Sequence, residues 1–85
     1  MFLEIITPEK KLFSGETELV QLPGASGSFE VLMNHAPLIS NLIAGKIKVK
    51  EYNGSITFFE IRGGVVEVLN NNISVLVDSN ITLIK

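Results

Sequence analysis

Few residues in this chain could do covalent or metal chemistry. It has one histidine, His35, one aspartate, Asp78, and one arginine, Arg62. Ser40, His35 and Asp78 supply the residue types of a hydrolytic triad, but such a triad is defined by geometry, and the Gly-x-Ser-x-Gly turn that exposes a nucleophilic serine is absent. There is no cysteine, which removes thiolate metal sites, a cysteine nucleophile and a disulfide scaffold together. Glu16 and Glu18 sit two apart, the spacing of one strand face, and a metal site would need further ligands near them. A solvated strand face is the ordinary fate of such a pair. The segment Gly24-Ala25-Ser26-Gly27 lacks the Gly-Lys-Ser/Thr ending of a phosphate loop, and no helix follows to offer its N-terminus. These residues predict no catalytic, cofactor-binding or metal site, and the chain is expected not to be an enzyme.

The elements that carry these residues read as β throughout. The 85 residues make one domain, 46% of them hydrophobic, enough to fold rather than stay disordered. Nine short apolar runs alternate with turn residues: Phe2–Thr7, Lys11–Ser14, Thr17–Leu22, Ser28–Leu32, Leu38–Ile43, Gly45–Tyr52, Ser55–Ile61, Val65–Leu69 and Ile73–Val77. Short strands at that spacing predict a sandwich or barrel. No stretch keeps a 3.6-residue period, and Val, Ile and Thr are spread along the whole chain.

Local signals refine this reading. Asn53-Gly54 predicts a two-residue type I′ hairpin turn, in which both central residues take positive φ. Before it, Ile47 and Val49 lie on one strand face and Lys46, Lys48 and Lys50 on the other, the pattern of a half-buried strand. After it, Ile56 and Phe58 share one face and Thr57, Phe59 and Ile61 the other, so both faces are partly apolar. Asn70-Asn71-Asn72 predicts a second hairpin, because asparagine tolerates the left-handed region. Gly63-Gly64 predicts a bend or bulge. In Asn34-His35-Ala36-Pro37-Leu38, Asn34 can cap a turn and Pro37 fixes φ, which reads as a tight corner.

Charge excludes other classes. Seven Lys and Arg against nine Asp and Glu give a formal net charge of −2, with no basic footprint for nucleic acid or an anionic membrane surface. The apolar run at the N-terminus is too short for a signal peptide and carries Glu4. The longest uncharged stretch, Val31–Gly45, is shorter than the roughly 20 apolar residues that span a bilayer. What remains is a small all-β module that works by holding other proteins.

One block narrows the class. Gly27-Ser28-Phe29-Glu30-Val31-Leu32-Met33-Asn34-His35-Ala36-Pro37-Leu38, followed by Gly45, resembles the signature of the epsilon subunit of the bacterial F-type ATP synthase, called delta in mitochondria. Leu3–Glu9 with Phe13-Ser14-Gly15 resembles that family's opening strand pair. Gly63–Val68 with Ile73–Asp78 resembles its closing hairpin. The three blocks stand in order along essentially the whole chain.

The resemblance implies a flattened β-sandwich of about ten short, mostly antiparallel strands at the foot of the rotating central stalk. It implies a non-catalytic subunit without cofactor, linking the gamma subunit to the c-subunit ring at the cytoplasmic face of the bacterial inner membrane, and so coupling proton translocation to ATP synthesis. It implies that Gly27, Ser28, Phe29 and Glu30 form the ring-facing loop, with Glu30 carrying the charge that relatives often place at the position of Ser28. It implies that Thr7, His35 and Ser40 face gamma. Many members continue beyond the sandwich as a two-helix hairpin credited with inhibition of ATP hydrolysis. The resemblance here covers the sandwich alone, and no C-terminal helical domain is expected within residues 1–85. The alternation in Ile81-Thr82-Leu83-Ile84 suggests one more short strand or a partner contact. A generic β-sandwich adaptor, similar to the family only in architecture, is the alternative; it predicts a soluble partner and no membrane association, which fractionation of native cells distinguishes.

Overall fold

The computed structural model describes residues 1–78 and, for the backbone alone, residues 82–84. Among the described residues there are eight strands, not about ten: β1 (Phe2–Ile6), β2 (Lys11–Glu16), β3 (Leu19–Gly24), β4 (Gly27–Val31), β5 (Leu38–Lys50), β6 (Ile56–Leu69), β7 (Asn72–Val77) and β8 (Thr82–Ile84). The count falls because two pairs of runs fuse. Leu38–Ile43 joins Gly45–Lys50 as β5, and Ile56–Ile61 joins Val65–Leu69 as β6. The hydrogen-bonded order is β2-β1-β7-β6-β5-β3-β4, with β8 beside β6. All pairings are antiparallel except β1 with β7.

The long β5–β6 hairpin serves both layers of the sandwich. Its open end, Leu38–Ile43 against Gly63–Val68, continues through β7 to β1 and β2. Its turn end, Gly45–Lys50 against Ile56–Ile61, is flanked by β3 and β4 on one side and β8 on the other. The two layers bury one common core, with Leu3, Ile5, Val66, Val68, Ile73 and Val75 from the first and Val20, Leu22, Val31, Ile47, Val49 and Ile61 from the second. Phe13 of the first layer meets Phe59 of the second edge to face at 6.2 Å. The body measures 29 × 26 × 22 Å.

Gly63-Gly64 is not a bulge. The β5–β6 register runs without a shift from Leu38↔Val68 to Lys50↔Ile56. The buried side changes instead. In β6 it passes from Phe59 and Ile61 to Val66 and Val68, and in β5 from Leu42 to Ile47 and Val49. Two-stranded ribbons twist strongly, and the glycines, lacking Cβ, let this one turn over as it passes between layers. It is also where β6 changes neighbour from β8 to β7.

Turn chemistry corrects one expectation. Asn53 does not take positive φ, whereas Gly54 does, at 91°. Gly54 N donates to Glu51 O at 3.0 Å and Glu51 N to Ser55 O at 2.9 Å. This is a three-residue loop with a left-handed glycine, not a two-residue I′ turn. Asn53 Oδ1 accepts from Ser55 N at 2.9 Å, so asparagine serves as a side-chain clasp. The turn with two positive φ values is Asn70-Asn71, at 50° and 61°. Gly54→Ala is therefore expected to cost about 1–2 kcal/mol, the penalty of a left-handed L-residue, read as a lower denaturation midpoint. Asn53→Ala should cost less, since it removes one exposed hydrogen bond.

β3 runs through Pro23 and ends at Gly24. The β3–β5 register shifts between Gln21 and Gly24, where Pro23 has no N–H to give the ladder. Lys46 is exposed, with Ile47 and Val49 buried, as the alternation predicts.

Candidate functional site

The triad residues are not brought together. Asn34, next to His35, bonds Asn71 at one end of β7, while Asp78 follows the other end, about 20 Å away along the strand. Glu16 ends β2, and Glu18 pairs with Lys50 at 3.3 Å.

The residues expected to face the ring lie on β4, which among the described residues pairs with β3 alone. Strand alternation sorts them. Phe29 packs against the core and Val31 is buried, while Ser28 and Glu30 are exposed. Glu30 stands opposite Gln21, which stands opposite Lys48, so all three share the outer surface of the second layer. Gln21 Nε2 donates to Ser28 Oγ at 3.2 Å. The tip of the β3–β4 hairpin is fastened to β5 by Ala25 N donating to Asn41 O at 3.0 Å.

The three residues expected to face gamma part company. Thr7 is buried, and its hydroxyl is used inside the β1–β2 turn, donating to Lys10 O and accepting from Lys10 N, both at 3.1 Å. It sits at the end of β1 remote from the Asn70-Asn71 turn. His35 and Ser40 instead line one groove of about 490 Å³ together with Ser28 and Phe29. The Ser40 hydroxyl donates to Asn41 O at 3.1 Å. His35 Nδ1 lies 2.8 Å from Ala36 O; a carbonyl can only accept, so Nδ1 is the donor.

Sequence reasoning missed a second feature. The outer surface of the first layer displays large apolar side chains, among them Ile39 at 73% exposure, Leu76 at 57%, Ile43 at 52% and Val65 at 38%. Register sets Val65 beside Leu76 and Leu76 beside Ile6, with Ile39 across from Glu67 on the same face. Large apolar side chains exposed on one sheet face make it a candidate contact surface. Its signal was present in Leu38–Ile43, where apolar residues occupy both strand faces.

Comparison with known proteins follows the same lines. The family model for the β-sandwich domain of the ATP synthase delta/epsilon chain matches residues 1–82. The ATP synthase epsilon chain of Caulobacter vibrioides is 40% identical over 78 residues, 92% of this chain and 90% of that protein. A chain in the Euglena gracilis mitochondrial ATP synthase structure, comprising OSCP, F1 and the c-ring, superposes with a TM-score of 0.87 at 17% identity, over 95% of this chain and 51% of that one. The Tetrahymena thermophila mitochondrial ATP synthase central stalk and c-ring contains another, with a TM-score of 0.77 at 19% identity, over 99% of this chain and 65% of that one. This chain thus spans about half to two thirds of those structural neighbours. The likeness to the Caulobacter protein is one of sequence along nearly the whole chain, beyond what shared sandwich architecture gives.

Proposed function

The chain belongs to the ATP synthase delta/epsilon-chain β-sandwich family, and from that premise we propose that it is a non-catalytic rotor subunit joining gamma to the c-subunit ring. Proton-driven turning of the ring reaches gamma through it, at the cytoplasmic face of the bacterial inner membrane. The match of residues 1–82 to the family carries this reading.

The geometry suits a link. Ser28 and Glu30 lie on the outer surface of the second layer, and the apolar residues Ile39, Val65 and Leu76 on that of the first. The two attachments adjoin at the groove that Ser28, His35, Ile39 and Ser40 line together, and both are backed by the same body. That body is one eight-stranded sheet folded around one core, which resists bending because core packing is crystal-like in density. In this assignment the ring meets the loop Gly27, Ser28, Phe29 and Glu30. Gamma covers the apolar face and the His35 corner beside Ser40, while Thr7 shapes the β1–β2 turn at the rim.

Glu30→Lys tests the ring contact. Glu30 is exposed on β4, so the thermal midpoint should stay at the unsubstituted value. Charge reversal at the contact should lower ATP-driven proton pumping in reconstituted membranes severalfold. Normal pumping would remove Glu30 from the contact, and an unfolded variant would make it a structural residue.

A further inference from the structure

Asn34 and Asn71 are 37 residues apart, and they clasp each other. Asn34 N donates to Asn71 Oδ1 at 2.7 Å, and Asn71 Nδ2 donates to Asn34 Oδ1 at 3.2 Å. Both backbones are left-handed, with φ of 66° and 61°, a conformation in which asparagine is enriched over other side chains. Asn71 also accepts from Phe2 N through its own carbonyl at 2.9 Å. One residue therefore ties together the β6–β7 turn, the start of β1 and the corner that carries His35.

The corner has little else to hold it. Residues 32–37 lie outside the strands. Their other hydrogen bonds are internal, from His35 N to Leu32 O at 3.1 Å and from His35 Nδ1 to Ala36 O. Among the described residues, the Asn34–Asn71 bonds are the only ones joining this corner to another element. A groove of about 260 Å³ runs between corner and turn, lined by both asparagines, His35 and Pro37.

We propose that Asn71 is a positioning residue for partner binding: it holds the His35-Ala36-Pro37 corner in the orientation in which the gamma subunit meets it. This rests on the assignment of the corner to gamma. A corner already fixed need not be ordered on association, and the loss of ordering entropy is a direct charge on affinity. Released from Asn71, the corner keeps its internal turn but not its place.

Two glycine variants separate clasp from turn. Asn70 and Asn71 share the turn and both take positive φ, so glycine suits the backbone at either position. Only Asn71 reaches Asn34. Binding of each purified variant to purified gamma is measured well below the unfolding midpoint. Asn71→Gly should raise Kd about tenfold, the scale of ordering a short corner, while Asn70→Gly binds like the unsubstituted chain. Asn71→Asp keeps an acceptor for Asn34 N and should recover most of the affinity. Unchanged binding by Asn71→Gly, or an equal loss in Asn70→Gly, would overturn the inference while leaving the gamma assignment intact. No binding by the unsubstituted chain would overturn both.

Discussion

Gly64→Ala is expected to lower the stability of the chain by about 3 kcal/mol, near the upper end of what overpacking costs. A Cβ at Gly64 would fall on the carbonyl oxygen of Leu76 and within 3.1 Å of Val77 Cγ1. That oxygen belongs to the paired strand β7, and a backbone atom held in a ladder cannot step aside as a flexible side chain can. For a domain of this size the loss corresponds to a midpoint lower by roughly 15 °C. The neighbouring residue is the control. A Cβ at Gly63 would meet only Leu42 O, at 3.4 Å, an ordinary contact, and Gly63→Ala should cost under about 1 kcal/mol. Equal midpoints for the two variants would show that close packing of β6 on β7 does not fix the crossing between layers.

Charging the apolar outer surface should produce the largest effect on association. Leu76→Glu and Ile39→Glu alter side chains that are 57% and 73% exposed, so each should fold with the unsubstituted midpoint. Each places a carboxylate where gamma is proposed to lie, and desolvating an unpaired charge at the centre of an interface is among the costliest changes available. The affinity for gamma should fall about a hundredfold. Unchanged affinity would move gamma off this face. Lost folding would instead show that these positions are part of the core.

The all-β class and both hairpin positions were legible because alternation and turn residues are local signals. Ile47 and Val49 went inward and Lys46 outward as the period of two requires. What was not legible arises between segments. The fusion of runs into β5 and β6 depends on partners at each end of a strand, and Gly63-Gly64 reads the same for a bulge as for a ribbon that turns over. The type I′ turn fell to Asn70-Asn71 because the loop after Lys50 holds three residues, with Gly54 taking the positive φ. The added strand at Thr82–Ile84 was one of two alternatives for an alternating tail.

The candidate site divides in the same way. Glu30 and Ser28 are outward on β4, as an alternating strand places them. Thr7 is placed toward gamma by the family resemblance, and the structure shows its hydroxyl used in its own turn, which no neighbouring residue in the sequence signals. The apolar face could have been found from residues that break alternation, since both parities are apolar in Leu38–Ile43. The Asn34–Asn71 clasp has no sequence signal, because it joins two turns brought together only by the folded chain.

The claim that this chain links gamma to the c-ring is tested most directly by affinity purification of the tagged chain from detergent-solubilised membranes, with the retained subunits identified by mass spectrometry. The account predicts that gamma and the c subunit are both recovered with it, and that Leu76→Glu and Glu30→Lys together abolish their recovery. Recovery of only one of them with the unsubstituted chain, or of neither, would contradict it.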